Sequence, residues 1–317
     1  MKAIPSSPDP GTPSYDQLRI FLAICDAGSF SAAARRVGRA VSAMSYGIAQ
    51  LEAQLGVSLF DREGNRRPRL TEAGEAVLAE ARVVAQGMDG LRARVKGMLA
   101  GLEAEVRLAV DVMLPAERLA QLLGAFQTEF PTVALRLHVE ALGAVAALVC
   151  NGEADVGLSG PLAAGIEGLE RHAAGMVALV PVAAPSHPLA VAQAVGPLQP
   201  GAGADHIQLV LTDRSPLTKG RDFAVLSPHN WRLADLGAKH ALLREGVGWG
   251  NMPLPMVAAD LARGALVRLI MPDGPGGGYR FHAIHRRDSP PGPAASWLMA
   301  ELAAMEGPGV EYLGPEV

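Results

Sequence analysis

The sequence predicts an α/β protein in three parts: a small helical head, one long helix, and a large body in which strands and helices alternate. Three observations carry this reading. Gly28 to Leu70, GSFSAAARRVGRAVSAMSYGIAQLEAQLGVSLFDREGNRRPRL, reads as two short helices, a tight turn and a basic hairpin. From Thr71 to Leu102 apolar residues recur with a seven-residue period. Beyond Leu102, apolar strand-like runs alternate with helical ones, the pattern of helices laid over mostly parallel strands.

The totals fit that division. At 317 residues the chain is long enough for two or three domains. Half of it is hydrophobic (49%) but only 4% is aromatic, so its cores must be built from Ala, Val and Leu. Charge is distributed unevenly. Between Ser14 and Leu70, Arg19, Arg35, Arg36, Arg39, Arg62, Arg66, Arg67 and Arg69 outweigh Asp16, Asp26, Glu52, Asp61 and Glu63, while the whole chain carries −4. A basic head on an acidic body is the asymmetry of a DNA-binding module attached to something else. Cys25 and Cys150 are the only cysteines and fall in different parts, which argues against a disulfide framework or a zinc cluster and for a reducing cytoplasm. The N-terminal MKAIPSSPDPGTPS lacks the apolar centre of a signal peptide and reads as a loose arm over 1–13. No apolar run reaches the 18 residues of a membrane span.

In the head (14–70), Ser14 and Gln17 form an S-x-x-Q capping box, and Leu18, Phe21, Leu22 and Cys25 follow at helical spacing up to Gly28. A second helix is expected over Ser31–Val37, stopped by Gly38, and a third over Val41–Leu55, stopped by Gly56. On the third, Met44, Ile48, Leu51 and Leu55 make one apolar stripe, while Ser42, Tyr46, Ala49 and Gln50 point the other way. An oily back and a small polar front suit a major groove. LFDREGNRRPRL then reads as a wing, with a turn at Glu63–Asn65 and Pro68 on an edge strand. This makes Ser42, Ser45, Tyr46 and Gln50 candidates for base contact. Arg35, Arg36, Arg39, Arg62, Arg66 and Arg67 are candidates for phosphate contact.

In the long helix (71–102), Val77, Val84, Leu91 and Met98 share one heptad position and Ala81, Met88, Val95 and Leu102 another, so two copies should pair. The competing reading is a surface helix lying on the chain's own core. In the body, strands are expected at VRLAV, VALRLHV, ADVGLSG, MVALVPVAA, HIQLVL, FAVLS, LVRLI and YRFHAIH. Helices are expected over Pro115–Phe130, Leu142–Asn151, Asp235–Glu245, Pro253–Arg263 and Ala294–Glu306.

The helix-turn-helix, the wing ending in RLTEAG and the long helix after it resemble the N-terminal region of the LysR-type transcriptional regulators. EADVGLSG, PVAAPSHPLA and GVGWGNMP resemble, in order, the effector-domain strand, the crossover to the second lobe and the "G-x-G-[IW]-x-x-[ML]-P" loop of that family. The resemblance covers Ser14 to about Glu306. It implies a winged helix-turn-helix joined to a two-lobed, periplasmic-binding-protein-like α/β effector domain over 103–317. Lobe I would span about 103–175 and 268–306, and lobe II about 176–267. It further implies a homodimer or homotetramer on a double-stranded DNA operator, and a small-molecule effector bound between the lobes. One position departs from the family: Val41 stands where the recognition helix usually has Gln, and Val can touch only a thymine methyl. Gly47 is also unusual within that helix; it either lets the backbone approach a phosphate or simply costs stability.

Effector contacts are expected where strands end between lobes. Asp111 and Met113 follow the first strand, and the helix start at Pro115 offers free N–H groups, as an anion needs, whereas Asp111 favours a hydroxyl or amine donor. By family likeness Ser159, His187, Thr212, Asp213, Trp249 and Asn251 fall on the other cleft loops. Cys150 reads as a small buried apolar residue more readily than a thiol sensor. Trp231 and Trp249 read as packing residues. His282 and His285, three apart on a strand, face opposite ways and make a poor metal pair. GLSG lacks the G-x-S-x-G spacing of a nucleophile elbow, and GVGWGNMP is no dinucleotide fingerprint, so no catalytic, metal or cofactor site is expected. Two rivals to an effector-controlled regulator stay open: a solute-binding protein without DNA function, and a constitutive regulator with a degenerate pocket.

Overall fold

The computed structural model describes residues 10–61, 68–213, 215–221 and 223–305. Two compact units divide the chain, Met1–Lys96 and Gly97–Val317.

The first unit begins with α1 (Tyr15–Ala27), α2 (Phe30–Val37) and α3 (Val41–Leu55). Ser14 and Gln17 complete the capping box, and Gly28, Gly38 and Gly56 each close a helix in the left-handed conformation that spares a side chain its clash. Phe21, Ile24, Met44, Leu51 and Leu59 are wholly buried, and Phe60 packs edge-on against Phe21 and Phe30. Glu52 reaches from α3 to accept the Leu59 and Phe60 amides, which fixes the chain as it leaves the helix. Phe60 bridges Leu70 in antiparallel fashion, closing the base of the expected wing; its turn and Arg62, Arg66 and Arg67 lie outside the described residues. At the other end, the Gly11 amide of the N-terminal arm donates to the Gln54 carbonyl, so the arm's last residues are tied to α3.

Helix α4 (Glu72–Leu99) follows without a break. Thr71 starts it, its hydroxyl accepting from the Gly74 amide. Of the heptad positions on α4, Ala81 alone is buried; Val84, Leu91, Val95 and Met98 are 46–60% exposed. The alternative of a helix resting on the chain's own core is thereby confined to its first turns.

The second unit holds a sheet in the order β2-β1-β3-β9-β4-β7-β5-β6, with β8 (Val267–Arg268) beside β4. One half contains β1 (Glu105–Asp111), β2 (Ala134–Glu140) and β3 (Val156–Ser159), all parallel. The other contains β5 (Gln208–Leu211), β6 (Asn230–Leu233) and β7 (Trp249–Pro253), also parallel. Two long antiparallel strands, β4 (Leu169–Ala183) and β9 (Gly277–Arg286), join the halves. The expected parallel sheet therefore holds within each half but not at the join. Helices α5 (Ala116–Glu129), α6 (Gly143–Cys150), α7 (Pro188–Val195), α8 (Leu236–Arg244), α9 (Leu254–Ala262) and α10 (Pro293–Ala303) cover the sheet. The Asp in EADVGLSG holds two strands together: Asp155 accepts from the Arg107 amide and guanidinium, locking β3 against β1. Glu103 caps α10 by accepting the Ala294 and Ala295 amides.

Several local expectations need correction. FAVLS is not a strand. Three of its backbone groups go to the Gln208 side chain, which accepts from the Leu226 and Ser227 amides and donates to the Ala224 carbonyl, in place of ladder bonds. The strand lies later, at polar Asn230–Leu233. GVGWGNMP contributes β7 rather than a loop, LVRLI shrinks to two paired residues, and α7 appears where no helix was expected. Cys150 is exposed at the end of α6, not buried; partial desolvation still raises its thiol pKa, the reverse of an activated thiolate. Trp231 is half exposed on the edge strand β6, whereas Trp249 is core.

Candidate functional site

The outer face of α3 is the first candidate. The helix buries Met44, Gly47, Ile48 and Leu51, which turns Ser42, Ser45, Tyr46, Ala49 and Gln50 outward. Tyr46 is 66% exposed although aromatic, and its hydroxyl accepts from the Gln50 amide nitrogen at 2.8 Å. Ser45 donates to the Val41 carbonyl, a bond it can exchange for one to a base. Val41 itself is 44% exposed at the first position of the helix. At Gly47 a β-carbon would come within 2.8 Å of Ile20 Cδ1, the flexible end of a side chain on α1.

Arg35 and Arg36 are exposed in the last turn of α2. Arg39 is held differently. It grips Asp16 with two parallel bonds of 2.7 and 2.8 Å, and Asp16 is pushed below the usual carboxylate range chiefly by that hydrogen bond. A phosphate would have to compete with Asp16 for Arg39.

The second candidate lies where the halves of the large unit meet. Asp111, at the end of β1, is fully buried, with Oδ1 accepting from the Met113 amide and Oδ2 from the Tyr279 hydroxyl. Burial pushes its pKa up to about 6 against those two bonds and one from the Gly160 amide, and Asp213 nearby adds to the rise. The register of β1 and β3 sets Ser159 beside Asp111, and its Oγ is buried with no hydrogen-bond partner. From the other half, Asp213 accepts from the Thr218 hydroxyl, and its Oδ2 is buried and unpartnered. Asp213, Ser215 and Thr218 crowd Gly143 at the start of α6, where a β-carbon would lie 2.8 Å from Thr218 Cγ2. Next to them opens a cavity of about 620 Å³ whose wall includes Thr212, Asp213, Thr218, Lys219, Arg221 and Arg232.

The loop before α5 adds no free amide to the anion site expected at the start of that helix. The Val112, Met113 and Leu114 N–H groups are bound to Glu140 O, Asp111 Oδ1 and Asp111 O. Met113 turns its side chain into the core. Two other expected cleft residues sit elsewhere. Strands β5 and β7 pair at Gln208 and Trp249, their N-terminal ends, whereas Thr212 and Asp213 follow the C-terminal end of β5. Trp249 is wholly buried there, donating to the Gly203 carbonyl. His187 caps α7 after the end of β4 that pairs with Trp249; burial holds its pKa down to about 4, so it stays neutral. Neither faces the Asp213 cavity. Asn251 is mid-strand, its carbonyl accepting from the buried Lys239 ammonium and its Oδ1 unpartnered. Tyr279 and Thr218 are the residues that the sequence reading missed; Tyr279 reaches Asp111 across 168 positions, and Thr218 reaches Asp213 across a turn of five.

Residues 100–306 match the family model of the LysR substrate binding domain, and residues 15–75 match that of the bacterial regulatory helix-turn-helix protein, lysR family. The chain is 29% identical over 292 residues to the probable HTH-type transcriptional regulator YhaJ of Escherichia coli, covering 91% of this chain and 95% of that protein. It is 28% identical over 258 residues to the HTH-type transcriptional activator AllS of Klebsiella pneumoniae, covering 80% and 93%. A solved structure of Corynebacterium glutamicum OxyR aligns over 93% of this chain and 94% of that one, with 22% identity and a TM-score of 0.49.

Proposed function

Since the chain belongs to the LysR family of transcriptional regulators, we propose that its α3 reads an operator in the major groove through Ser42, Ser45, Tyr46 and Gln50, with Arg35 and Arg36 on flanking phosphates. The observation that carries this is the outward row on α3: a tyrosine, an amide and two hydroxyls left at the surface of a helix whose other side is core. Arg62, Arg66 and Arg67 would add phosphate contacts from the wing, and Arg39 would do so only by releasing Asp16. The working form is a homodimer, or a pair of such dimers, joined along the α4 seam, and the site of action is the cytoplasm. No helix among the described residues is long and apolar enough to cross a membrane.

The effector enters between lobe I (about 103–175 and 268–306) and lobe II (about 176–267), against Asp111, Ser159, Thr212 and Asp213. The buried unpartnered oxygens of Ser159 and Asp213 support this placement. Lys219, Arg221 and Arg232 on the cavity wall suit an effector that carries a negative group. Coupling must be reciprocal, so operator DNA alters effector affinity by the factor with which effector alters operator affinity.

A gel shift with DNA from upstream of the chain's own gene tests the reading. The full-length protein should retard that fragment in preference to scrambled DNA, and Tyr46→Ala should reduce the preference. Equal retardation of both fragments by the wild type would defeat it.

A further inference from the structure

On the two strands that join the halves of the sheet, three ligand-bearing side chains meet outside the cleft. Glu170 and His172 lie two apart on β4, and His285 is the register partner of Glu170 on β9. Alternation puts all three on one face. Their ligating atoms fall within 4.8 Å of one another, with His285 Nε2 at 3.9 Å from Glu170 Oε2 and the two imidazole rings stacked at 6.4 Å between centroids.

We propose that Glu170, His172 and His285 form a binding site for a divalent transition metal ion of the zinc class. His285 is the anchor. It is buried, and its Nδ1 lies 2.8 Å from the Arg286 carbonyl. A carbonyl only accepts, so Nδ1 carries the proton and the lone pair sits on Nε2, the atom that faces Glu170. Fixing a ligating imidazole through its other nitrogen is how metal-binding histidines are oriented. Glu170 and His172 are exposed and can close in. Zinc–nitrogen bonds of about 2.0–2.1 Å require tetrahedral ligand atoms roughly 3.4 Å apart, so the three groups must draw closer on an ion. The cations next in sequence are held on the other face: Arg171 donates to the Ala163 carbonyl and Arg286 to the Val149 carbonyl. Two imidazoles and one carboxylate select zinc, nickel, cobalt or copper over magnesium or calcium. Three protein ligands leave a fourth position for water or an incoming group. The ion would pin β4 to β9 just before the register shift between Ala173 and Met176, on the strands that run from one half of the sheet into the other.

The test is titration of the untagged full-length chain with Zn2+ in competition with a chromophoric chelator, and with Co2+ followed by its visible absorption. One ion should bind per chain. His172→Ala and Glu170→Gln, both at exposed positions that leave the fold intact, should each weaken binding at least about tenfold, while His229→Ala at another exposed histidine should not. His285→Ala should remove the tetrahedral Co2+ spectrum. No stoichiometric binding, or binding that His172→Ala leaves intact, would overturn the proposal.

Discussion

Tyr279 donates its hydroxyl to Asp111 Oδ2 at 2.6 Å, across 168 positions of sequence, and burial lifts the Asp111 pKa to about 6 from an ordinary 3.8. A carboxyl raised in this way is protonated more readily in the folded chain than in the unfolded one. Its contribution to stability is therefore complete below about pH 4 and lost as the pH rises through 6. Replacing Asp111 by Asn should remove that loss. In chemical denaturation at pH 4 and at pH 7, the wild type should give up about 2 kcal/mol more than Asp111→Asn between the two. Parallel pH profiles would show that Asp111 titrates normally.

Lys239 shows the opposite sign. It is buried, with Nζ on the Asn251 carbonyl, and burial depresses its pKa to about 8 from 10.5. Below pH 8 the folded chain holds an ammonium that the unfolded chain would rather hydrate, and that penalty is relieved as the pH climbs from 8 toward 10.5. Lys239→Met should gain about 1 kcal/mol at pH 7 after losing the bond to Asn251, and its stability should stay flat where the wild type's rises. A large loss at pH 7 would mean that the hydrogen bond outweighs desolvation.

Two glycines of the head give opposed expectations. At Gly47 a methyl would meet only the δ-methyl of Ile20 at 2.8 Å, and that end of a side chain can rotate. Gly47→Ala should fall within about 1 kcal/mol of wild type, rotamer strain being offset by helix propensity. At Gly74 a methyl would lie 2.2 Å from the Leu59 backbone carbonyl, which itself accepts from the Thr71 amide and cannot retreat. Gly74→Ala should cost about 2–3 kcal/mol in thermal or urea unfolding. Equal effects at the two sites would refute the packing argument.

What the sequence could and could not reveal follows the same local and distant division. The three helices of the head were legible to within a residue because their signals are short in range: the Ser14 capping box, glycines at 28, 38 and 56, and the stripe on Val41–Leu55. In the body, β1, β2, β3 and β5 were legible from apolar runs, whereas β6 and β7 were not. FAVLS misled because a side chain, Gln208, satisfied its backbone, and no periodicity encodes that. In the cleft, Asp111 was legible as a strand-end residue and Asp213 by family likeness. Tyr279 was not, since only the assembled sheet brings it to Asp111, and Thr218, five residues from Asp213, was not because no periodic pattern marks the short turn that folds it back. His187 and Trp249 were assigned by family likeness to loops, and the strand directions put them at the opposite ends of β4, β5 and β7. His282 and His285 face opposite ways as the spacing indicates, while the groups that His285 meets, Glu170 and His172, sit across the ladder where spacing does not reach.

The exposed face of α3 makes separable predictions for base and phosphate contact. Tyr46→Ala should leave the fold unchanged, since the ring is mostly in solvent, yet cost about 1–3 kcal/mol on the cognate operator and little on random DNA. Arg36→Ala should weaken both equally and lower the slope of log K against log salt by about 0.9. Fluorescence anisotropy at several salt concentrations distinguishes them, and a Tyr46→Ala loss that is equal on both DNAs would exclude base reading.

The last prediction concerns α4. Val84, Leu91, Val95 and Met98 stand 46–60% exposed along one side of the helix, and Gly87 and Gly90 nearby meet nothing within 4 Å. A helix that spends two glycines, each costing about 1 kcal/mol against Ala, while leaving such a seam in water needs a partner to be stable. A second copy of the same helix offers the same seam. An acid placed in it would face its own copy or lie buried without a counter-ion, so Leu91→Asp should shift the chain toward monomer in light scattering and lower operator affinity in step. Ala93→Asp, on the far side of the helix, adds the same charge and should change neither. If Leu91→Asp leaves the mass unchanged at micromolar concentration, the seam is not what holds the copies together.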